Sequence, residues 1–426
     1  MTPAPSPTGP ESVTVQGPGS TWIEHGTLGI GTASGLGQTA VVTISDGATF
    51  TGSGVVIIGP EGALQIGTGG LAGTLNAPSI VNNDFITFNF TDSTTLSAPV
   101  SGTGSLEKFG AGTLTLLGAN SYSGETFIEN GTVVAAATSA LGTGFVEVSG
   151  ASTTLRISPG SSETNSVTMF GGATLDNFGT LSAPTGSSPT VFVNSGGTVI
   201  DEAGATITNT NPGGIAIVGS ISDPTLTVTN AGTISSKIGI QLQFGIDGNI
   251  TNSSTGVITG TGGTAIDGFT FGSGIVTFSN AGRVNGSVTL NSIDPNTDFP
   301  LVNAVTLFTG SSITGNLNLN SPSAATLTLD GTGAWSLNQA VAGGVTNFFS
   351  LTKQGAGTWT INQALTYSGG TNINGGTLIA ATTGALGSGL VTVNDPSLLR
   401  IDPGVTVTNF IELTNAGAWT TPELYR

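Results

Sequence analysis

One stretch of this chain is used twice. It runs from Leu106 to Val148, beginning Leu106-Glu107-Lys108-Phe109-Gly110-Ala111-Gly112-Thr113 and passing through Tyr122-Ser123-Gly124. It turns at Asn130-Gly131-Thr132-Val133 and closes on Ala140-Leu141-Gly142-Thr143-Gly144-Phe145-Val146. The same order returns without a gap from Leu351 to Val393, with Lys353, Gly355-Ala356-Gly357-Thr358, Tyr367-Ser368-Gly369, Gly375-Gly376-Thr377 and Ala385-Leu386-Gly387-Ser388-Gly389 in the matching places. More than half of the positions are identical, so the repeat is the first constraint on any fold.

Inside each copy, short runs that alternate apolar and polar residues are separated by glycine or Asn-Gly turns, as in Thr113-Leu114-Thr115-Leu116, Thr126-Phe127-Ile128 and Val133-Val134. Period-two patterning of this kind marks half-buried strands. No segment carries a capped 3.6-residue pattern, so helices are expected to be incidental. Strands of four or five residues cannot bury a core alone, but stacked as successive coils they can, because each coil then hydrogen-bonds the one above and below. The expected fold class is all-β, a right-handed parallel β-helix (β-solenoid).

The run Leu-x-Lys-x-Gly-x-Gly-Thr, then Tyr-Ser-Gly, then a Gly-Thr turn, then Ala-Leu-Gly-x-Gly-x-Val-x-Val resembles the passenger-associated transport repeat of bacterial autotransporters. The second copy departs at Trp359, where the first has Leu114, and at Asn362-Gln363-Ala364-Leu365. The resemblance implies the passenger of a Gram-negative autotransporter, exported by the type V route, secreted or displayed at the cell surface, and associated with the outer membrane in the full-length protein. It implies a structural or adhesive stalk whose repeats aid folding-coupled export, with a C-terminal outer-membrane barrel as partner and contacts to host surface, glycan or other copies of itself. Neither an export signal nor the series of roughly ten-residue alternating strands that a barrel requires is present, so the resemblance implies an excised or truncated passenger.

Composition agrees with one repetitive object. Of 426 residues, 68 are glycine and only 7% are charged, yet 37% are hydrophobic, which favours a thin continuous core over disorder. Residues 1–12, rich in Pro, Ser and Thr, are expected to be disordered, and 13–426 to form the solenoid, with transport-type repeats at 106–157 and 351–401. Asp294 to Pro300 is expected to protrude as a loop, because two prolines cannot sit in a central ladder. The net charge of −17, with seven cationic residues, excludes the basic surface that nucleic-acid binding needs. Four of the seven occupy equivalent repeat positions, Lys108 with Lys353 and Arg156 with Arg400. Cysteine is absent, which suits a chain that must thread a narrow pore unfolded.

A looser motif, Asn-x-Gly-x-(Ile/Val/Leu), recurs at Asn177, Asn194, Asn230, Asn280 and Asn415, with a stretched relative at Asn252. The intervals cluster near two dozen residues, the size of one coil. Asparagine at a recurring corner serves either as a ladder of stacked amides or simply as a good turn residue.

The alternative class is a β-helical polysaccharide lyase or hydrolase. A hydrolase needs converging acids, and Asp201-Glu202, the one adjacent acidic pair, is expected to be a solvated corner. A lyase needs a cation against the developing enolate, which leaves Lys237 and Arg283. His25 is the sole histidine and is read as a turn residue. Gly262-Gly263-Thr264-Ala265-Ile266-Asp267 lacks the glycine that a calcium-binding nonapeptide requires and occurs once. Scattered Thr-x-Thr pairs (Thr113/Thr115, Thr225/Thr227/Thr229, Thr358/Thr360) are read as ordinary outward strand residues. No catalytic, cofactor-binding or metal-binding residues are expected, no cofactor, and no enzymatic activity.

Overall fold

A computed structural model describes residues 11–31, 39–183, 188–220, 225–243, 246–271, 274–293, 302–320 and 324–414. Residues 1–10, the Asp294–Pro300 segment and the Asn415 motif lie outside them. Two compact units divide the chain, Met1–Gly219 and Ser220–Arg426.

In the first unit the alternating runs become short strands, each paired parallel and in register with the strand one coil later. One sheet takes Glu11–Gln16, Ala40–Ser45, Gly62–Ile66, Phe85–Asn89, Ser105–Phe109, Thr126–Ile128, Val146–Ser149, Val167–Phe170, Val191–Val193 and Ile215–Gly219 in that order. A second takes Ser93–Leu96, Thr113–Leu116, Gly131–Ala135, Thr153–Ile157, Thr174–Asn177 and Gly197–Asp201. Further short strands close the turns, among them Leu28–Ile30, Val56–Ile58, Ile80–Asn82 and Val100–Ser101. This is a parallel β-solenoid. The strand at Glu11–Gln16 takes in Glu11 and Ser12 from the expected disordered tail.

Register explains the sequence pattern. Leu114, Val133, Leu155, Leu175 and Val199 are Cα partners on successive strands, and each is fully buried. Truncating one of them to Ala costs about 2–5 kcal/mol, because a stacked core cannot collapse into the gap. One residue before each, on the opposite face, Thr113, Thr132, Thr154, Thr174 and Thr198 form a single half-buried file. Of the outward Thr-x-Thr positions in this repeat, Thr113 joins the file, whereas Thr115 pairs with Val134.

The second unit repeats the plan. Leu226–Asn230, Gly248–Asn252, Val276–Asn280, Ala304–Phe308, Thr326–Asp330, Ser350–Lys353, Thr371–Ile373, Val391–Asn394 and Ile411–Thr414 pair parallel in sequence order. Long strands Thr233–Leu242, Val257–Phe271 and Arg283–Ile293 form another sheet. Ala334–Ser336, Thr358–Ile361, Thr377–Ala380 and Leu398–Ile401 form a third. The helix Leu337–Ala340 has four residues. Among the described residues no helix is long and apolar enough to cross a membrane.

The asparagine motif resolves into both readings at once. Asn230 Nδ2 donates to Asn252 Oδ1 at 2.8 Å, and Asn252 Nδ2 to Asn280 Oδ1 at 2.8 Å, so the amides stack along the axis. Asn280 Oδ1 also accepts the Gly282 N–H two residues on, the bond of an Asx turn. All three side chains are fully buried. In the first unit Asn177 Nδ2 donates to Asp201 Oδ1 at 2.7 Å, so the ladder position is filled by an aspartate there. Asn194 follows the strand Val191–Val193 instead, at a different corner. Asn252→Ala would remove an acceptor from Asn230 and a donor from Asn280; the expected cost is about 2–3 kcal/mol, read as a shift in urea midpoint. A shift no larger than for an exposed Asn→Ala would show that the ladder contributes nothing.

Candidate functional site

The two repeats fold alike, and their shared feature is a buried lysine that clasps the turn between two sheets. Lys108 lies on the inward face of Ser105–Phe109 and is fully buried. Its Nζ donates to the carbonyl oxygens of Phe109 (2.7 Å), Gly110 (2.6 Å) and, one coil on, Asn130 (3.2 Å). Lys353 is buried in the same way, donating to Gln354, to Gly355 at 2.9 Å and to Gly375 at 2.9 Å. Chain reversal brings these carbonyls together, and it needs glycine. Gly110 has φ +69°, and a Cβ there would lie 2.4 Å from the Phe90 oxygen. At Gly112 the Asp92 oxygen would be 2.2 Å away. Lys-x-Gly-x-Gly is thus one device, in which two glycines let the backbone close in and one ammonium binds the oxygens that result.

Burial pushes the Lys108 ammonium down to about 8. The Phe90 ring, 4.8 Å from Nζ, is the other group over it. Burial also lowers Lys353, but the nearby Asp330 carboxylate works against that shift.

A second shared element lies at the start of the strand that pairs next to the lysine strand. Tyr122 Oη and Thr126 Oγ1 share a hydrogen bond of 2.6 Å, and Tyr367 and Thr371 do the same at 2.6 Å. Both tyrosines are buried, and burial raises both hydroxyls. Trp359, standing where the first copy has Leu114, is fully buried with Nε1 donating to the Asp330 oxygen at 2.8 Å. The departure is absorbed inside the core.

The Ala-Leu-Gly segment of the first copy is held from the next coil by Glu163, which sequence reading missed. Glu163 Oε1 accepts from Ala140 N (3.0 Å) and Oε2 from Leu141 N (3.2 Å), and the side chain is fully buried. Desolvation raises its carboxyl to about 7, against the two backbone hydrogen bonds, which pull the other way. The signal available in sequence was an acid flanked by Ser162 and Thr164 more than twenty residues from its partners.

Chemistry-bearing candidates do not converge. Asp201 is not a solvated corner. It is fully buried, because the Thr174–Asn177 register sets it opposite Asn177. Glu202, on the other face of the chain, is half-buried. Lys237 is exposed, and Arg283 is exposed with Nε on Asn285 Oδ1 at 2.8 Å. His25 is exposed. Arg156 reaches across one coil to Asp176 at 2.6 Å, whereas Arg400 pairs with Asp402 two residues on. Asp267 lies within the strand Val257–Phe271 and accepts from Gln241 Nε2 at 3.0 Å. Among the described residues no group of three or more His, Cys, Asp or Glu is placed to hold a metal.

The family model of the passenger-associated transport repeat matches residues 106–135 and 351–380. Both stretches are passenger-associated transport repeats. The chain is also 28% identical over 240 residues to the adhesin BmaC autotransporter of Brucella suis biovar 1 (strain 1330), a match that takes in 53% of this chain and 6% of that protein. This chain therefore spans a small fraction of the length of the curated relative it matches. Repeats and relative together make this chain similar to autotransporter passenger sequence.

Proposed function

We propose that the chain is a non-catalytic, adhesive stalk segment of an autotransporter passenger, and that its two repeats are the coils that fold most readily as the chain emerges. The observation that carries this reading is the recurrence of the same buried lysine, the same tyrosine–threonine bond and the same glycine approaches in both copies. A coil whose lysine closes its own turn with two ammonium–carbonyl bonds, and ties that turn to the next coil with a third, is held by more than stacking alone. The outer membrane supplies no ATP, so a segment that folds outside the pore and templates the next coil biases the threading chain outward. The repeats would be such segments.

The named relative is an adhesin, and the adhesive reading is carried over from it. A C-terminal barrel is the partner this reading requires in the full-length protein, with host-surface, glycan or self-association contacts made by the exposed faces. Deleting Leu106–Val148 from the full-length protein is expected to lower surface display several-fold, measured by antibody labelling of intact cells. Unchanged display would contradict the export role.

A further inference from the structure

Glu107, Phe127 and Glu147 are Cα partners on three successive strands of the first repeat. They face outward, since Leu106, Lys108, Ile128, Val146 and Val148 face in. Glu125 and Glu129, both exposed, flank the middle strand. The four carboxylates crowd one another. Glu147 is raised by desolvation and then by the charges of Glu125 and Glu129, and Glu107 by desolvation and, more weakly, by Glu129, against a hydrogen bond from Thr87. Among the described residues the ion pairs are Arg156–Asp176 and Arg400–Asp402, and neither reaches this cluster.

Beside it runs a groove of about 620 Å³, lined in part by Ser123, Glu125, Phe145 and Asn165, and a smaller hollow of about 190 Å³ lined by Glu125, Phe145, Glu147 and Thr168. Phe145 is 57% exposed. Asn165 is 2% exposed. Its Nδ2 is fixed on the carbonyls of Gly144 (2.7 Å) and Gly142 (3.3 Å). Its Oδ1 is buried and has no hydrogen-bond partner.

We propose that this groove, with the hollow beside it, binds a lysine-bearing segment of a partner protein, the ammonium seated between Glu125 and Glu147 against the Phe145 ring. A cation relieves the mutual repulsion of the carboxylates and is attracted by an aromatic face. A neutral glycan would desolvate the same carboxylates and leave their repulsion in place. The second repeat retains the frame without these groups. Asn409 Nδ2 meets the carbonyls of Leu386, Gly387 and Gly389 as Asn165 meets its own, while Gly370, Leu390 and Thr392 stand where the first copy has Glu125, Phe145 and Glu147. The carboxylates and the ring are therefore not needed to build the coil.

The inference deepens the contact role proposed above and rests on it for surface exposure. Binding is measured on the purified chain, so its failure is distinguishable from a failure of display. A fluorescein-labelled nonapeptide of alternating Lys and Gly is titrated against the full chain by anisotropy at low salt, beside a Glu/Gly nonapeptide and a chitin tetrasaccharide. The double variant Glu125→Gln, Glu147→Gln is expected to weaken the lysine peptide at least tenfold and Phe145→Ala about threefold. Glu11→Gln with Glu61→Gln, which removes the same charge elsewhere, is expected to change it less than twofold. Carbodiimide crosslinking of the wild-type chain to the peptide, mapped by mass spectrometry, is expected at Glu125 or Glu147. Equal weakening by both double variants, crosslinks spread over unrelated acids, or tighter binding of the tetrasaccharide would overturn the proposal.

Discussion

Replacing Lys108 with Met is expected to destabilise the first repeat by about 1–3 kcal/mol, the cost of leaving buried carbonyl oxygens without their donor, partly offset by removal of the buried charge. Met keeps the volume of the side chain and removes the donor that the Phe109, Gly110 and Asn130 oxygens share. Loss should concentrate in the coils between Phe90 and Val148, because a solenoid transmits stability mainly between neighbours. Local amide exchange reports it better than one melting temperature does. Lys353→Met should act in the same way on the second copy. A variant as stable as wild type would show that packing alone holds the turn.

Glu163 gives the second large effect, through pH. Its carboxyl is raised from 4.5 to about 7 on folding, so the folded chain binds more protons than the unfolded chain between those values. Stability is therefore fully present below pH 4.5, falls as pH rises, and is lost by the time pH has passed 7. The shift corresponds to about 3 kcal/mol at most, at roughly 1.4 kcal/mol per pH unit. Glu163→Gln should sit near wild type at pH 5 and become relatively more stable toward pH 8, by up to about 2 kcal/mol, since Gln also gives up one of the two N–H acceptors. Urea midpoints at the two pH values decide it, and a difference that does not vary with pH would contradict the assignment. Lys108 acts in a separate window. Lowered from 10.5 to about 8, it costs stability in full below pH 8 and is relieved as pH rises toward 10.5. Comparing wild type with Lys108→Met across pH 8–10 separates the two groups.

The fold was legible because its signals are local. Thr113-Leu114-Thr115-Leu116 shows its buried face by alternation, and Gly110 and Asn130-Gly131 mark the reversals on either side. What could not be read depends on which residues lie one coil apart. Asp201 looked like a surface acid because nothing in Asp201-Glu202 states that Asn177 stands opposite. Glu163 reaches Ala140 and Leu141 on the preceding coil, and its buried carboxylate needs that register before it makes sense. The file from Thr113 to Thr198 could not be read for the same reason. The lysines lay between these cases. Their equivalence was visible in the repeat, but the three carbonyls that each one holds were not.

Native-state amide exchange resolved by segment tests most directly whether the lysine-clasped repeats are the most stable coils. The slowest exchange is expected in residues 106–148 and 351–393, above that of coils such as 226–258, which lack a buried lysine at the turn, with Lys108→Met erasing the excess in the first segment alone. Equal protection along the chain, or faster exchange in the repeats than elsewhere, would contradict it.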